Sequence, residues 1–226
     1  MSVWVALSKV EDGSMYNRED PENQEVIWNR EAWLNPYGLK LDDATRLYIT
    51  YGEDKTYTKY HETDASEKGK GMRGNDIEPA DALVTTTPGQ VLFLPVADCI
   101  ATALYDEKNG VLMLSHLGRH SLEVNGGVQS VAYLKEHYGS KPEDLQVWLS
   151  ASIGKDTYPI LKLDNKGMKE VVHEQLHAAG ILPENIVDDI ANTGVHPEYF
   201  SHSEFLKGNK TEDGCHAMMA AIQPAE

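Results

Sequence analysis

Three short apolar runs near the middle of the chain constrain its fold more than any other feature. Val91–Val96, Ile100–Tyr105 and Val111–Leu114 are almost uniformly apolar, the pattern of short buried strands. Pro95 breaks or bulges the first run, and Asn109-Gly110 marks a hairpin between the other two. Arg46–Tyr51 and Leu145–Leu149 read as further strands. Helices are expected around them. One starts at Asp20-Pro21-Glu22-Asn23, with Pro at the first helical position and acids at the positive end, and runs through Val26, Ile27, Trp33 and Leu34 to Pro36 and Gly38. Val128, Val131, Leu134 and Tyr138 share a second helical face that Gly139 stops. Met168, Val171, Val172, Leu176 and Ala179 share a third, with Gly180 placed to end it. The stretch from Thr58 to Asp81 is almost without aliphatics, and its KGKGMRG segment reads as a flexible basic loop. No repeat and no long Pro/Ser/Gly linker divides the 226 residues. The expectation is one α+β domain spanning 1–226, with strand-rich central sheets covered by helices.

Charge narrows the partners. With 20 basic against 36 acidic side chains the formal net charge is −16, which argues against nucleic acid or an anionic membrane as the main partner. An anionic substrate would need a local basic pocket. The first residues show no basic segment followed by a long apolar stretch, and no apolar run approaches transmembrane length. Cys99 and Cys215 cannot form a disulfide framework, so a reducing cytoplasm and a monomeric chain are expected.

His173-Glu174-Gln175-Leu176-His177 matches the H-E-x-x-H pattern of zinc proteases, in which two imidazoles four apart share a metal. The helical phase opposes that use. The apolar face centres near Val172 and Ala179, so His173, Glu174 and His177 fall on the watered side. The longer pattern also fails, because Pro183 stands where a third histidine is required. The segment reads as a solvated helix face.

Ala97-Asp98-Cys99 and Ser115-His116-Leu117-Gly118 interrupt or close the central apolar runs. A two-residue Asn109-Gly110 turn would pair Lys108 with Val111 and set His116 opposite Ala103. Cys99 would then lie four residues away, about 13 Å along the strand. A bulge or a wider loop would bring the two together.

The segments PADALVTTTPGQVLFLPVADC, LYDEKNGVLMLSHLG and VWLSASIGKDTYPI, in that order, resemble the YfiH-like family of bacterial purine nucleoside phosphorylases, also known as the polyphenol oxidoreductase or laccase-domain family. NREDPENQEVIWNREAW and HPEYFSHSE resemble two further family segments, so the likeness covers most of the chain. The resemblance implies a metal site of His61, Cys99 and His116, with His61 standing for the histidine of the family's Q-V-H-G segment. Two imidazoles and a thiolate with one open position suit a catalytic zinc, copper being less favoured. It implies phosphorolysis of purine nucleosides by phosphate, with deamination of adenosine as a further activity, and it assigns Arg119 and His120 to substrate binding. The chain departs from the family where H-A-G-W-R-G becomes His116-Leu117-Gly118-Arg119-His120-Ser121, and where the arginine of a C-terminal G-R pair is absent from Gly214-Cys215-His216. Those departures motivate an alternative, a zinc- or nucleoside-binding module that has lost catalysis. The zinc protease and a copper-dependent phenol oxidase are the remaining readings.

Overall fold

The central apolar runs are strands because both of their faces are covered. The computed structural model describes residues 2–50 and 56–224. In chain order its main elements are β1 (Val3–Leu7), α1 (Gln24–Leu34), β2 (Ala44–Arg46), β3 (Tyr60–Glu62), β4 (Ala82–Thr85), β5 (Val91–Val96), β6 (Ile100–Asp106), β7 (Val111–Leu117), α2 (Arg119–Glu123), α3 (Gly126–Tyr138), β8 (Gln146–Leu149), α4 (Met168–Ala178), β9 (Ile186–Asp188), α5 (His202–Leu206) and β10 (His216–Ile222). They form a four-stranded sheet, β1-β10-β5-β2, and a six-stranded sheet, β3-β4-β7-β6-β8-β9. Leu92, Leu94, Met218 and Ala220 of the first sheet meet Leu83, Ala103, Leu112 and Leu114 of the second in a shared core. On its outer side the smaller sheet packs Phe93 and Met219 against Trp33 and Leu34 of α1. The larger sheet buries Leu104 and Met113 beneath Val131 and Leu134 of α3 and Val172 and Leu176 of α4. The result is a four-layer α-β-β-α arrangement, an α+β fold with two stacked sheets at its centre.

The helix signals hold with one shift of boundary. Gly139 and Gly180 take the left-handed conformation after α3 and α4, at φ +68° and +97°, where a Cβ would be strained. The first helix begins three residues later than its Pro21 start implied. Asn23 caps it by accepting a hydrogen bond from Val26 N at 3.2 Å. The expected strand Arg46–Tyr51 is shorter, since pairing with β5 ends at Arg46; Tyr51 lies outside the described residues.

The KGKGMRG segment is not a free loop. Arg46, 1% exposed, donates from its Nε to Gly71 O, and its Nη2 reaches Gly74 O at 2.7 Å and Asn75 Oδ1 at 2.6 Å. Arg30, wholly buried, donates to Met72 O at 2.6 Å and Met15 O at 2.9 Å. Two guanidiniums thus satisfy the carbonyls of a segment too poor in aliphatics to build its own core.

Candidate active site at the junction of the sheets

Chain geometry at two turns brings the site residues together. Between β6 and β7 the loop is wider than two residues, because Asp106 captures it. Its carboxylate accepts from Lys108 N at 2.9 Å, Asn109 N at 3.1 Å and Asn109 Nδ2 at 2.7 Å. Asp106 therefore pairs with Val111, and His116 faces Ala101 instead of Ala103. The shift moves the imidazole two residues nearer to Cys99. Cys99 itself is not in a strand. Ala97-Asp98-Cys99 form the bend where the chain leaves β5 in one sheet and enters β6 in the other.

Asp98 shapes that bend at φ +74°, a conformation that a non-glycine residue keeps only when its surroundings enforce it. Its buried carboxylate accepts from Thr193 Oγ1 at 2.9 Å and from Ser203 N at 2.8 Å. A regular strand would turn Asp98 away from Cys99, but here both line one cavity. Cys99 and His116 converge on Gly118. A Cβ built there would lie 2.8 Å from Cys99 Sγ and 3.5 Å from His116 Nε2, so glycine is required for the approach.

The cavity has a volume of about 650 Å³, within the usual range for small-molecule sites. Arg18, Lys59, Arg119 and Lys207 bring cations to its wall in a chain of net charge −16. Arg119 lies over the Tyr158 ring at 5.8 Å and contacts His120 at 3.1 Å. Both expected substrate-binding residues, Arg119 and His120, thus line the cavity together with Cys99 and His116. Burial holds the His116 imidazole down to about 4, so it is neutral at pH 7 and able to act as a ligand or acceptor. Burial, with Asp98 adding, pushes the Cys99 thiol up to about 12. Without a cation to displace its proton, that thiol is inert at neutral pH.

His61 stands elsewhere. In β3 it pairs with Leu83 of β4, while Lys59 sits beside Asp81, whose carbonyl accepts from His116 N at 3.0 Å. Lys59, not His61, therefore reaches the cavity wall. The His61 ring is held by Glu67 at 2.6 Å. The donor set fits a metal in kind, thiol and neutral imidazole, but is incomplete in number. Among the described residues no group of three or more His, Cys, Asp or Glu side chains is placed to hold a metal ion. Arg73 of the KGKGMRG segment pairs with Asp42 on the surface.

The H-E-x-x-H helix behaves as its phase implies. His173 contacts Asp188 at 2.8 Å, Glu174 pairs with Lys166 at 2.6 Å, and His177 is exposed. His177→Ala is expected to leave melting temperature and metal content unchanged, as differential scanning fluorimetry and elemental analysis would show; a lost metal would revive the protease reading.

Several cavity residues were invisible in the sequence. Arg18 arrives from the N-terminal segment and His202 from the start of α5, and Asp213 fixes both. Arg18 Nη1 lies 3.1 and 3.2 Å from the Asp213 oxygens, and His202 Nδ1 lies 3.0 Å from one of them. Arg18 Nη2 also donates to Cys215 Sγ at 3.5 Å, so an arginine reaches the place where the C-terminal strand carries none. The one signal for His202 was its position in HPEYFSHSE, a segment that the family resemblance covers.

A family model described as multi-copper polyphenol oxidoreductase laccase matches residues 14–166. A purine nucleoside phosphorylase of Corynebacterium glutamicum is 31% identical over 142 residues, covering 63% of this chain and 53% of that protein. Another, of Deinococcus radiodurans, is 26% identical over 163 residues, covering 72% of this chain and 54% of that protein. The matches span about half the length of these curated relatives. The hypothetical protein YfiH of Bacillus licheniformis superposes with a TM-score of 0.82 at 19% identity, over 98% of this chain and 93% of that one. YlmD of Geobacillus stearothermophilus gives 0.82 at 17% identity, over 98% and 92%. These two likenesses concern the fold.

Proposed function

Because the chain belongs to the multi-copper polyphenol oxidoreductase laccase family, whose matching relatives include proteins named purine nucleoside phosphorylase, we propose that it cleaves purine nucleosides with inorganic phosphate. The observation that carries the reading is a basic, partly apolar cavity set into an otherwise acidic protein. Arg18, Lys59 and Arg119 gather the phosphate, whose charge they neutralise as it attacks C1′ of the ribose. Tyr158, Pro79 and Leu206 offer the flat apolar surfaces that a purine needs. Asp98 and Gly118 keep the wall at Cys99 and His116 in register with the α5 end of the cavity.

In the same proposal Cys99 and His116 are the donors that a zinc ion would take, with His61 left outside the set. Copper suits the pair less well. When bound, zinc would supply a Lewis acid and an activated water, the chemistry that deamination of adenosine requires; that activity is proposed as secondary. A monomer in a reducing cytoplasm, where Cys99 and Cys215 stay thiols, completes the reading. Among the described residues no helix is long and apolar enough to cross a membrane.

Incubation with inosine or adenosine, with and without phosphate, followed by chromatography, separates the alternatives. Free purine base that appears only with phosphate is the expected outcome. Inosine and ammonia from adenosine without phosphate would show deamination. Stoichiometric nucleoside binding with no turnover would favour the non-catalytic module, the reading that the altered His116–Ser121 segment motivates.

A further inference from the structure

One group in the cavity has the geometry of an acid–base catalyst. His202 is the first residue of α5, and Ser201 before it caps the helix by accepting from Glu204 N at 3.3 Å. The next residue, Ser203, is tied by its N–H to Asp98, so the backbone at His202 is fixed against the bend that carries Cys99. The loop leading in is held by Lys210, which donates to His196 O at 2.7 Å and Tyr199 O at 3.2 Å. The His202 ring lines the cavity. Its Nδ1 is committed to Asp213, which leaves Nε2 as the ring atom able to serve a ligand. A carboxylate holding one imidazole nitrogen so that the other exchanges protons is a recurrent catalytic device. Asp213 also pairs with Arg18 at 3.1 Å, so one carboxylate orients both a cation for phosphate and an imidazole. The other charged groups about the ring are Lys207, the residue that follows its helix, paired with Glu204 at 2.7 Å, and Asp98 behind Ser203.

We infer that His202, oriented by Asp213, is the general acid that protonates the departing purine; this role rests on the phosphorolysis reading. As the C1′–N9 bond breaks, its electron pair moves into the purine ring and the proton on Nε2 passes to N7. A phosphate oxygen forms the new bond to C1′. The proton of hydrogen phosphate, released as the phosphate monoester forms, restores the imidazolium. Nucleoside and hydrogen phosphate give free base and ribose 1-phosphate, and the side chain ends as it began.

The test uses the leaving group. In 7-methylguanosine the N7 position already carries a methyl group and a positive charge, so the base departs without an acid. His202→Gln is expected to slow turnover of inosine by about 10²- to 10³-fold, while turnover of 7-methylguanosine stays near that of the wild type. Asp213→Asn, which also releases Arg18, should slow both substrates, inosine the more. Equal slowing of both substrates, or of neither, would overturn the role while wild-type turnover left phosphorolysis standing. A wild-type chain inactive on both substrates would overturn phosphorolysis and the role together. A His202→Gln protein that fails to fold hands the decision to His202→Asn, for which the same outcomes apply.

Discussion

Cys99→Ala is expected to abolish metal retention and, with it, the deamination of adenosine. The thiol sits where three constraints meet. The Asp98 bend presents it, the bare Gly118 backbone gives it room, and His116 stands beside it. Its proton is hard to remove, since burial pushes the group up to about 12, so a bound cation is what would make it a thiolate. Metal content and deamination should therefore fall together in Cys99→Ala. His61→Ala should leave both near wild type, because Glu67 holds that ring away from the cavity wall. Elemental analysis beside a deamination assay checks the pair. Full metal and full activity in Cys99→Ala would remove the thiol from the site. Metal loss in His61→Ala would restore the set that the family resemblance implied.

Acid should destabilise the protein in a way traceable to its buried histidines. His216 is fully buried in β10, its ring edge-on to Tyr199 at 5.1 Å, and neither ring nitrogen has a hydrogen-bond partner among the described residues. Burial holds it, like His116, down to about 4. An unfolded histidine titrates near 6.5. Between those values the unfolded chain takes up a proton that the folded chain refuses, so stability is complete above about pH 6.5 and is lost as pH falls toward about 4. At pH 5 each such histidine costs about 2 kcal/mol, or roughly 6 °C in melting temperature for a chain of this size. His216→Phe keeps the ring contact and removes the titration. Its melting temperature should exceed that of the wild type by about that margin at pH 5, beyond any difference at pH 7. Parallel pH profiles for the two proteins would contradict this cause.

Much of the architecture could be read from the chain, because apolar runs covered on both faces and glycine-stopped amphipathic helices are local signals. β10 was not among them. His216–Ile222 reads HAMMAAI, a composition favouring helix, and it is a strand because β1 and β5 flank it. The Cys99–His116 approach was half legible. Both residues stand out against apolar runs, yet their meeting depends on Asp106 widening a turn that Asn109-Gly110 alone would have made tight. The resemblance points to His61, whereas the strand register places Lys59 at the cavity wall. Arg18, His202 and Lys207 left almost no trace. They come from opposite ends of the chain, and for the first two the link is Asp213, an exposed-looking acid whose importance lies in what it holds.

The most direct measurement is ³¹P NMR of the wild-type protein mixed with inosine and inorganic phosphate. A growing ribose 1-phosphate resonance, matched by loss of free phosphate and release of hypoxanthine, is the expected result. An unchanged phosphate signal at high enzyme concentration, with inosine intact or hydrolysed to free ribose, would contradict a cavity built for phosphorolysis.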